Sequence, residues 1–239
     1  MEVLYGIHPV VECLRAGRRK VHRLLVADDR RERDLVQKLG GALPVQVDRT
    51  SRRDLDREAG TRDHQGVAAR VDPYPYVDWE ELLEDGCAFL LLLDNVTDPH
   101  NTGAIMRSAY CAGATGVVIR KHHASPVTAA AAKASAGAVE HLRVARVPNP
   151  SMFLEAAGQA GMQRAGLDMQ GERLWTAGLE WEKPLVLLVG AEGRGLGPLV
   201  KRHCDLLLSI PMQGGLDSLN ASVASALALF EVSRRRAGF

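Results

Sequence analysis

Leu185-Val186-Leu187-Leu188-Val189 runs straight into Gly190-Ala191-Glu192-Gly193-Arg194-Gly195-Leu196-Gly197. The first five residues are a continuous apolar run of strand length, and the next eight contain four glycines. A second apolar stretch ends in Ile210-Pro211-Met212, and Gly214-Gly215 leads on to Asp217-Ser218-Leu219-Asn220-Ala221-Ser222. Glycine lets a backbone approach a ligand closely, and ligands of α/β proteins bind beyond the carboxyl ends of parallel strands. Two glycine-relieved loops after two buried strands therefore predict a binding site on an α/β sheet. Its polar groups are few: one carboxylate, a hydroxyl and a carboxamide.

The same alternation extends upstream. Ala88–Leu93 and Gly116–Ile119 read as buried strands, Val144–Val147 as a short one, and Arg164–Met169 as another. Between them, helical segments are expected over 101–113, 128–138 and 151–160, with a terminal helix over 219–236. Short apolar strands alternating with helices predict a parallel sheet covered on both faces. Residues 1–71 read as a separate small α/β unit, with helices near 9–16, 31–39 and 51–59 and strands near 21–26, 45–47 and 67–71. Asp72-Pro73-Tyr74-Pro75 interrupts the pattern, because two prolines in three residues fix extended chain. The expected division is thus 1–71, a linker over 72–84 with a short helix capped by Asp78, and 85–239.

Composition bounds the function. Hydrophobic residues make up 46% and charged residues 25% of 239, the balance of a globular protein. No apolar run approaches the roughly 20 residues of a membrane span, and Met1-Glu2-Val3-Leu4-Tyr5-Gly6 has no secretory pattern, so a cytoplasmic location is expected. Cysteines 13, 87, 111 and 204 show neither zinc-ligand nor disulfide spacing; free thiols and no metal are expected. Net charge is +1, but residues 1–75 carry 15 Lys and Arg against 12 Asp and Glu, whereas the remainder carries 15 against 17. Arg15, Arg18, Arg19, Lys20 and Arg23 cluster as a candidate phosphate-contacting patch, beside the plainer reading of a solvated helix end.

The glycine loop is not a phosphate-binding loop, since Leu196-Gly197 stands where lysine and a hydroxyl are needed. Nor is it a dinucleotide fingerprint, because the order of its glycines differs and it follows a late strand. A further polar patch runs Asp98-Pro99-His100-Asn101-Thr102-Gly103 to Arg107. Asn101 is expected to cap the helix there. Arg107 lies six positions on, about 1.7 turns, and so on another face.

Together these three patches resemble the motifs of the SpoU/TrmH family of RNA ribose 2′-O-methyltransferases. Asp98–Gly103 with Arg107 matches the first, Gly190-Ala191-Glu192-Gly193 with Gly195 the second, and Ile210-Pro211-Met212 with Ser218–Ser222 the third. Tyr5-Gly6-Ile7-His8-Pro9-Val10 and His64-Gln65-Gly66 look like the substrate-binding domain of its ribosomal-RNA branch. Ala221 stands where many members carry valine, and the Gly214-Gly215 pair is unusual.

The resemblance implies a SPOUT-class α/β domain with a deep carboxyl-terminal trefoil knot that binds S-adenosyl-L-methionine, preceded by a small RNA-binding α/β domain. Cofactor contacts would fall on Gly190, Ala191, Gly193, Ile210, Met212 and Leu219. Catalytic candidates are Asn101, Arg107, Glu192, Ser218 and Asn220. Arg18, Arg19, Lys20, His64 and Gln65 are candidate RNA contacts. The family's base-like role for Arg107 conflicts with a guanidinium pKa above about 12. Arg107 is expected instead to stay charged and stabilise the forming alkoxide, with Asn101 orienting it or the ribose and Glu192 available as a proton acceptor. The implied substrate is a ribose, of guanosine, in 23S ribosomal RNA, handled by a homodimer joined through the carboxyl-terminal domain. Transfer-RNA methylation and a non-catalytic RNA-binding role in ribosome assembly are the competing readings.

Overall fold

The computed structural model describes residues 1–39, 41, 45–84, 86, 88–214 and 218–238. Cys87, Gly215 and Asp217, named above, lie outside the described residues. In chain order the elements begin with β1 (Glu2–Tyr5), α1 (Ile7–Ala16), β2 (Val21–Val26), α2 (Asp29–Leu39), β3 (Val47–Arg49), α3 (Arg52–Ala59) and β4 (Val67–Val71). There follow β5 (Phe89–Asp94), α4 (Pro99–Cys111), β6 (Gly116–Arg120), α5 (Ala129–Ala134), β7 (Val144–Val147) and α6 (Pro150–Gln159). The chain finishes with β8 (Gln163–Arg173), β9 (Leu185–Gly190), α7 (Pro198–Arg202), β10 (Leu206–Ser209) and α8 (Ala221–Ala237).

Packing divides the chain into two compact units, Met1–Pro75 with Val127–His141, and Tyr76–Pro126 with Leu142–Phe239. The difference from the 1–71, 72–84 and 85–239 division is the segment 127–141. Its helix α5 and the 3-10 turn Ala138–His141 pack on β1 and α1. Glu140, 1% exposed, pairs there with the buried Arg19 guanidinium, and His141 meets Glu12 at 2.8 Å. Removing one partner of a buried pair costs roughly 3–5 kcal/mol, so these charges fix where the segment packs. Nothing in an alanine-rich helix announces such a partner.

The first unit is a four-stranded sheet in the order β1-β4-β2-β3. β4 is antiparallel to both β1 and β2, while β2 and β3 run parallel. The β1 strand was not expected from sequence; it adds at the edge beside β4, pairing Glu2 with Val71 through Tyr5 with Ala68.

In the second unit a six-stranded parallel sheet runs β10-β8-β9-β5-β6-β7. All six residues of β5 and of β9 are buried, the pattern of central strands with both faces covered. Leu90, Leu92, Val118, Val186, Leu188 and Phe153 share one core cluster. Each fully buried side chain of this kind contributes about 1.5–3 kcal/mol. On the sheet, α8 packs against α4 and β9. The expected Asp78-capped helix is instead a 3-10 turn over Glu80–Leu82. No helix among the described residues is long and apolar enough to cross a membrane, and no group of three or more His, Cys, Asp or Glu among them is arranged to hold a metal ion.

Candidate active site

The parallel register aligns the carboxyl ends of the central strands. Asp94, the last residue of β5, pairs with Gly190 of β9, and Leu93 with Ile119 of β6. The loops 191–197, 95–98 and 121–125 therefore leave the sheet side by side. Asp94 is 0% exposed, and a buried carboxylate must be fully partnered. Its Oδ2 accepts Gly197 N–H at 2.9 Å, and its Oδ1 accepts Arg120 Nη1 at 3.1 Å and Asn95 Nδ2 at 3.2 Å. The end of the glycine loop is thereby fastened to β5.

Within that loop Gly195 N–H returns to the Ala191 carbonyl at 2.8 Å, and the two residues bridge. A Cβ on Gly190 would lie 2.0 Å from the carbonyl carbon of Gly195, so the loop folds back on its own first residue. Gly193 and Gly195 take φ of +76° and +63°, with open space where a side chain would stand. The exposed side chains of Glu192 and Arg194 flank Gly193 on this loop.

The helix α4 begins earlier than expected. Its cap is Asp98, whose side chain accepts the N–H groups of His100 and Asn101, and Pro99 takes the first turn. Proline suits that position because its missing N–H has no helical partner there. Asn101 therefore is not the cap, and its carboxamide is released for other contacts. At the other helix, Asn220 is the cap of α8 and its Oδ1 accepts Ser222 N–H at 2.9 Å.

That backbone bond decides the orientation of the amides. With Asn220 Oδ1 occupied, its Nδ2 faces Asn101 Oδ1 at 3.1 Å, and Asn101 Nδ2 in turn faces Glu192 Oε2 at 3.3 Å. Asn220 Nδ2 also reaches Glu192 Oε2 at 3.4 Å. Two amide donors thus converge on one carboxylate oxygen, which is the acceptor-only group of the set. Glu192 Oε1 has no hydrogen-bond partner among the described residues. Three of the five catalytic candidates meet here.

The other two do not join this cluster. Arg107 is exposed on α4, and among the described residues it forms neither a hydrogen bond nor an ion pair. Six helical positions from Asn101 amount to about 9 Å of rise and a different face, so Asn101 is bonded to Glu192 and Asn220 rather than to Arg107. Ser218 is exposed just before the α8 cap, with no hydrogen-bond partner among the described residues. Of the cofactor candidates, Gly190, Ala191 and Gly193 form the loop around Glu192. Leu219 adjoins Asn220 and is half-buried, while Ile210 and Met212 follow β10, with Met212 exposed.

The first unit corrects part of the RNA-contact set. Arg19 is 6% exposed; its guanidinium bonds Glu140, reaches Glu2 at 2.9 Å and lies over the Tyr74 ring. Arg18 also lies over that ring, 5.8 Å from its centre. His64 is 2% exposed, its Nδ1 accepting Gly66 N–H and its Nε2 meeting Asp56 at 2.9 Å. Arg19 and His64 therefore hold the unit together and cannot present themselves to a ligand. Gln65 and Lys20 are exposed, although the Gln65 side-chain Oε1 accepts Ile7 N–H at 3.2 Å. Asp94 and Arg120 shape the site without having been singled out in the sequence, and Asp98, quoted there only as the start of the first motif, proves to be the cap of α4. Asp98 before a proline was the legible signal for that cap.

Two family models match the chain in succession, the second running through the segment 127–141 that packs with the first unit. Residues 88–230 match the model of the SpoU rRNA methylase family, and residues 3–77 match the model for RNA 2′-O ribose methyltransferase substrate binding. A Mycolicibacterium paratuberculosis protein named as an uncharacterized tRNA/rRNA methyltransferase is 40% identical over 99% of this chain and 78% of its own. Bacillus subtilis YacO, named as a putative TrmH-family tRNA/rRNA methyltransferase, is 38% identical over 98% of this chain and 96% of its own. Among solved structures, the SpoU methyltransferase AviRb from Streptomyces viridochromogenes, crystallised with the cofactor AdoMet, superimposes with a TM-score of 0.82 at 28% identity. That match covers 99% of this chain and 90% of AviRb. The residues meeting at Glu192 come from all three regions that carry the family resemblance, and the match extends across both packing units: the chain belongs to the SpoU rRNA methylase family.

Proposed function

We propose that this protein methylates a ribose 2′-hydroxyl of RNA using S-adenosyl-L-methionine, and that its substrate is a guanosine in 23S ribosomal RNA. The observation that carries the reading is the junction of Asn101, Glu192 and Asn220. These residues are separated by 91 and 119 positions in the chain, yet they meet where the segments that follow β5, β9 and β10 come together. The separate first unit, matching a substrate-binding model over residues 3–77, supports a large structured RNA over transfer RNA. The intact junction speaks against a purely structural role in ribosome assembly. Such work belongs in the cytoplasm.

The glycine loop fits the proposed cofactor. Gly193 and Gly195 carry no side chain and border open space, so Gly190, Ala191 and Gly193 would contact the adenosyl group through main-chain atoms. Ile210, Met212 and Leu219 supply apolar neighbours, and the resemblance implies that a trefoil knot shapes this pocket. When bound, S-adenosylmethionine supplies an electrophilic methyl group on a sulfonium. Asn101 and Asn220 fix Glu192 by occupying Oε2, leaving Oε1 to accept the hydrogen bond of the ribose hydroxyl. Ser218 orients the ribose from the loop before α8. Arg107 balances the negative charge developing on the ribose oxygen.

Because Arg107 does not reach the junction within its own chain, it is proposed to act on the site of a second subunit. The face for that contact is α8, where Val223, Leu227 and Phe230 are 47%, 40% and 49% exposed. Their spacing puts them on one face of the helix, beside a depression of about 440 Å³ lined by Trp175, Leu227 and Phe230. Replacing Leu227 and Phe230 together by aspartate should give a monomer in sedimentation equilibrium and lower methyl transfer by more than tenfold. A monomeric wild-type protein would overturn the arrangement.

The function itself is tested by incubating the protein with tritiated S-adenosylmethionine and deproteinised ribosomal or transfer RNA, then mapping 2′-O-methyls. Label is expected in 23S RNA at one guanosine. Label confined to transfer RNA, or none in either, rejects the reading.

A further inference from the structure

The loop that leaves β6, Lys121-His122-His123-Ala124-Ser125, takes no part in the site described above. It lies on the same edge, because β6 is the neighbour of β5 and Arg120 bonds both Asp94 and Asn95. From Gly190 of β9 to Arg120 is two strand spacings, about 10 Å. A nucleotide or two bridges that distance.

The loop is fastened at both ends. Lys121 N–H bonds the Val147 carbonyl at 2.8 Å, and the Lys121 carbonyl accepts Arg146 Nη2 at 2.9 Å. At the far end Ser125 N–H bonds the Val96 carbonyl at 2.9 Å, inside the β5–α4 connection that leads to Asn101. Between these anchors His123 takes φ of +60°, turning the chain sharply. The side chains of Lys121, His122 and His123 are all exposed, and among the described residues none has a hydrogen bond or ion pair. A rigid loop presenting three unengaged nitrogen-bearing side chains next to a catalytic junction has the chemistry to hold a polyanion.

We infer that Lys121, His122 and His123 form a second RNA-contacting surface, on the methyltransferase unit itself, which grips backbone phosphates next to the target ribose. The inference rests on the RNA methyltransferase reading. It assigns to this loop the positioning of the reacting nucleotide, apart from any gross RNA binding by the first unit. Phosphate contacts fix register without reading sequence. They therefore act on RNA affinity and leave cofactor affinity alone.

The test compares wild type with the variant K121A/H122A/H123N, in which asparagine tolerates the left-handed turn. Lys183→Ala serves as a control, since that exposed lysine precedes β9 at the opposite edge of the sheet. Bulk deproteinised ribosomal RNA is the probe, read both by methyl transfer and by filter retention across a salt series. The triple variant should raise KM for RNA about tenfold and keep kcat within about twofold. It should also flatten the salt dependence of binding by about 0.7 per lost contact and leave S-adenosylmethionine binding unchanged by calorimetry, with Lys183→Ala matching wild type. Unchanged KM and salt slope, or an equal loss in Lys183→Ala, would overturn the inference. Should wild type transfer no methyl group to this RNA, the functional reading falls, and filter retention alone decides the loop by the same criteria.

Discussion

Gly190→Ala is expected to weaken S-adenosylmethionine binding by more than a hundredfold and to lower the thermal stability of the methyltransferase unit. The added Cβ would stand 2.0 Å from the carbonyl carbon of Gly195, 2.2 Å from its oxygen and 2.3 Å from Leu196 N. These are backbone atoms and cannot swing aside as the end of a side chain would. Relief requires the whole 195–197 segment to move, and Gly197 N–H is the group that Asp94 holds. The substitution would therefore open the tight turn and unfasten it from β5 together. Overpacking of this kind typically costs about 1–3 kcal/mol in stability, while the bound conformation of the loop is lost outright. Gly193→Ala is the informative contrast. There the space is open and only the positive φ is strained, so a cost of about 1–2 kcal/mol and a folded loop are expected. Calorimetric titration with S-adenosylmethionine and thermal unfolding measure both variants. Wild-type affinity in Gly190→Ala would refute the role given to this loop.

Arg107→Ala should lower kcat by about 10²–10³, the usual effect of removing one preorganised charge-stabilising group, with cofactor affinity within about threefold of wild type. Arg107 is exposed and unpaired among the described residues, so truncation takes nothing from the fold and the loss reports on chemistry. Arg107→Lys should recover little, because an ammonium does not reproduce the planar five-donor fork of a guanidinium. Full activity in the lysine variant would remove the clamp from the mechanism. Subunit mixing tests whether the residue acts across the proposed dimer. A heterodimer of Arg107→Ala and Asn220→Ala chains has one site with both native residues if Arg107 serves the partner, and about half the wild-type activity per dimer should return. If Arg107 serves its own chain, each site carries one lesion and no activity returns.

The central strands were legible because burial on both faces leaves an unbroken apolar run. The runs Ala88–Leu93 and Leu185–Val189 needed no partner to be recognised, and they form β5 and β9 to within a residue at each end. The glycine spacing of the second loop was equally plain. Helix starts were less so: asparagine and aspartate are both good caps, and the choice of Asp98 over Asn101 turns on Pro99 taking the first helical position. That three-residue difference matters for chemistry, since a capping Asn101 would have its carbonyl oxygen engaged by its own helix.

The basic cluster shows the opposite limit. Arg18, Arg19 and Lys20 look alike in sequence. In the folded unit Arg19 is sealed against Glu140, 121 positions away, whereas Lys20 stays in solvent. His64 likewise spends both ring nitrogens on Gly66 and Asp56.

By itself the sequence determined the class of fold, the two glycine loops and the three motif regions, because periodicity, glycine spacing and proline breaks are local properties of a chain. Only the tertiary structure decided that Asn101, Glu192 and Asn220 share a carboxylate, that Arg107 stands apart from them, and that residues 127–141 pack with the first unit. Hydrogen-bond and ion-pair partners are chosen by where strands end and helices begin in space, and that choice leaves no local pattern to read.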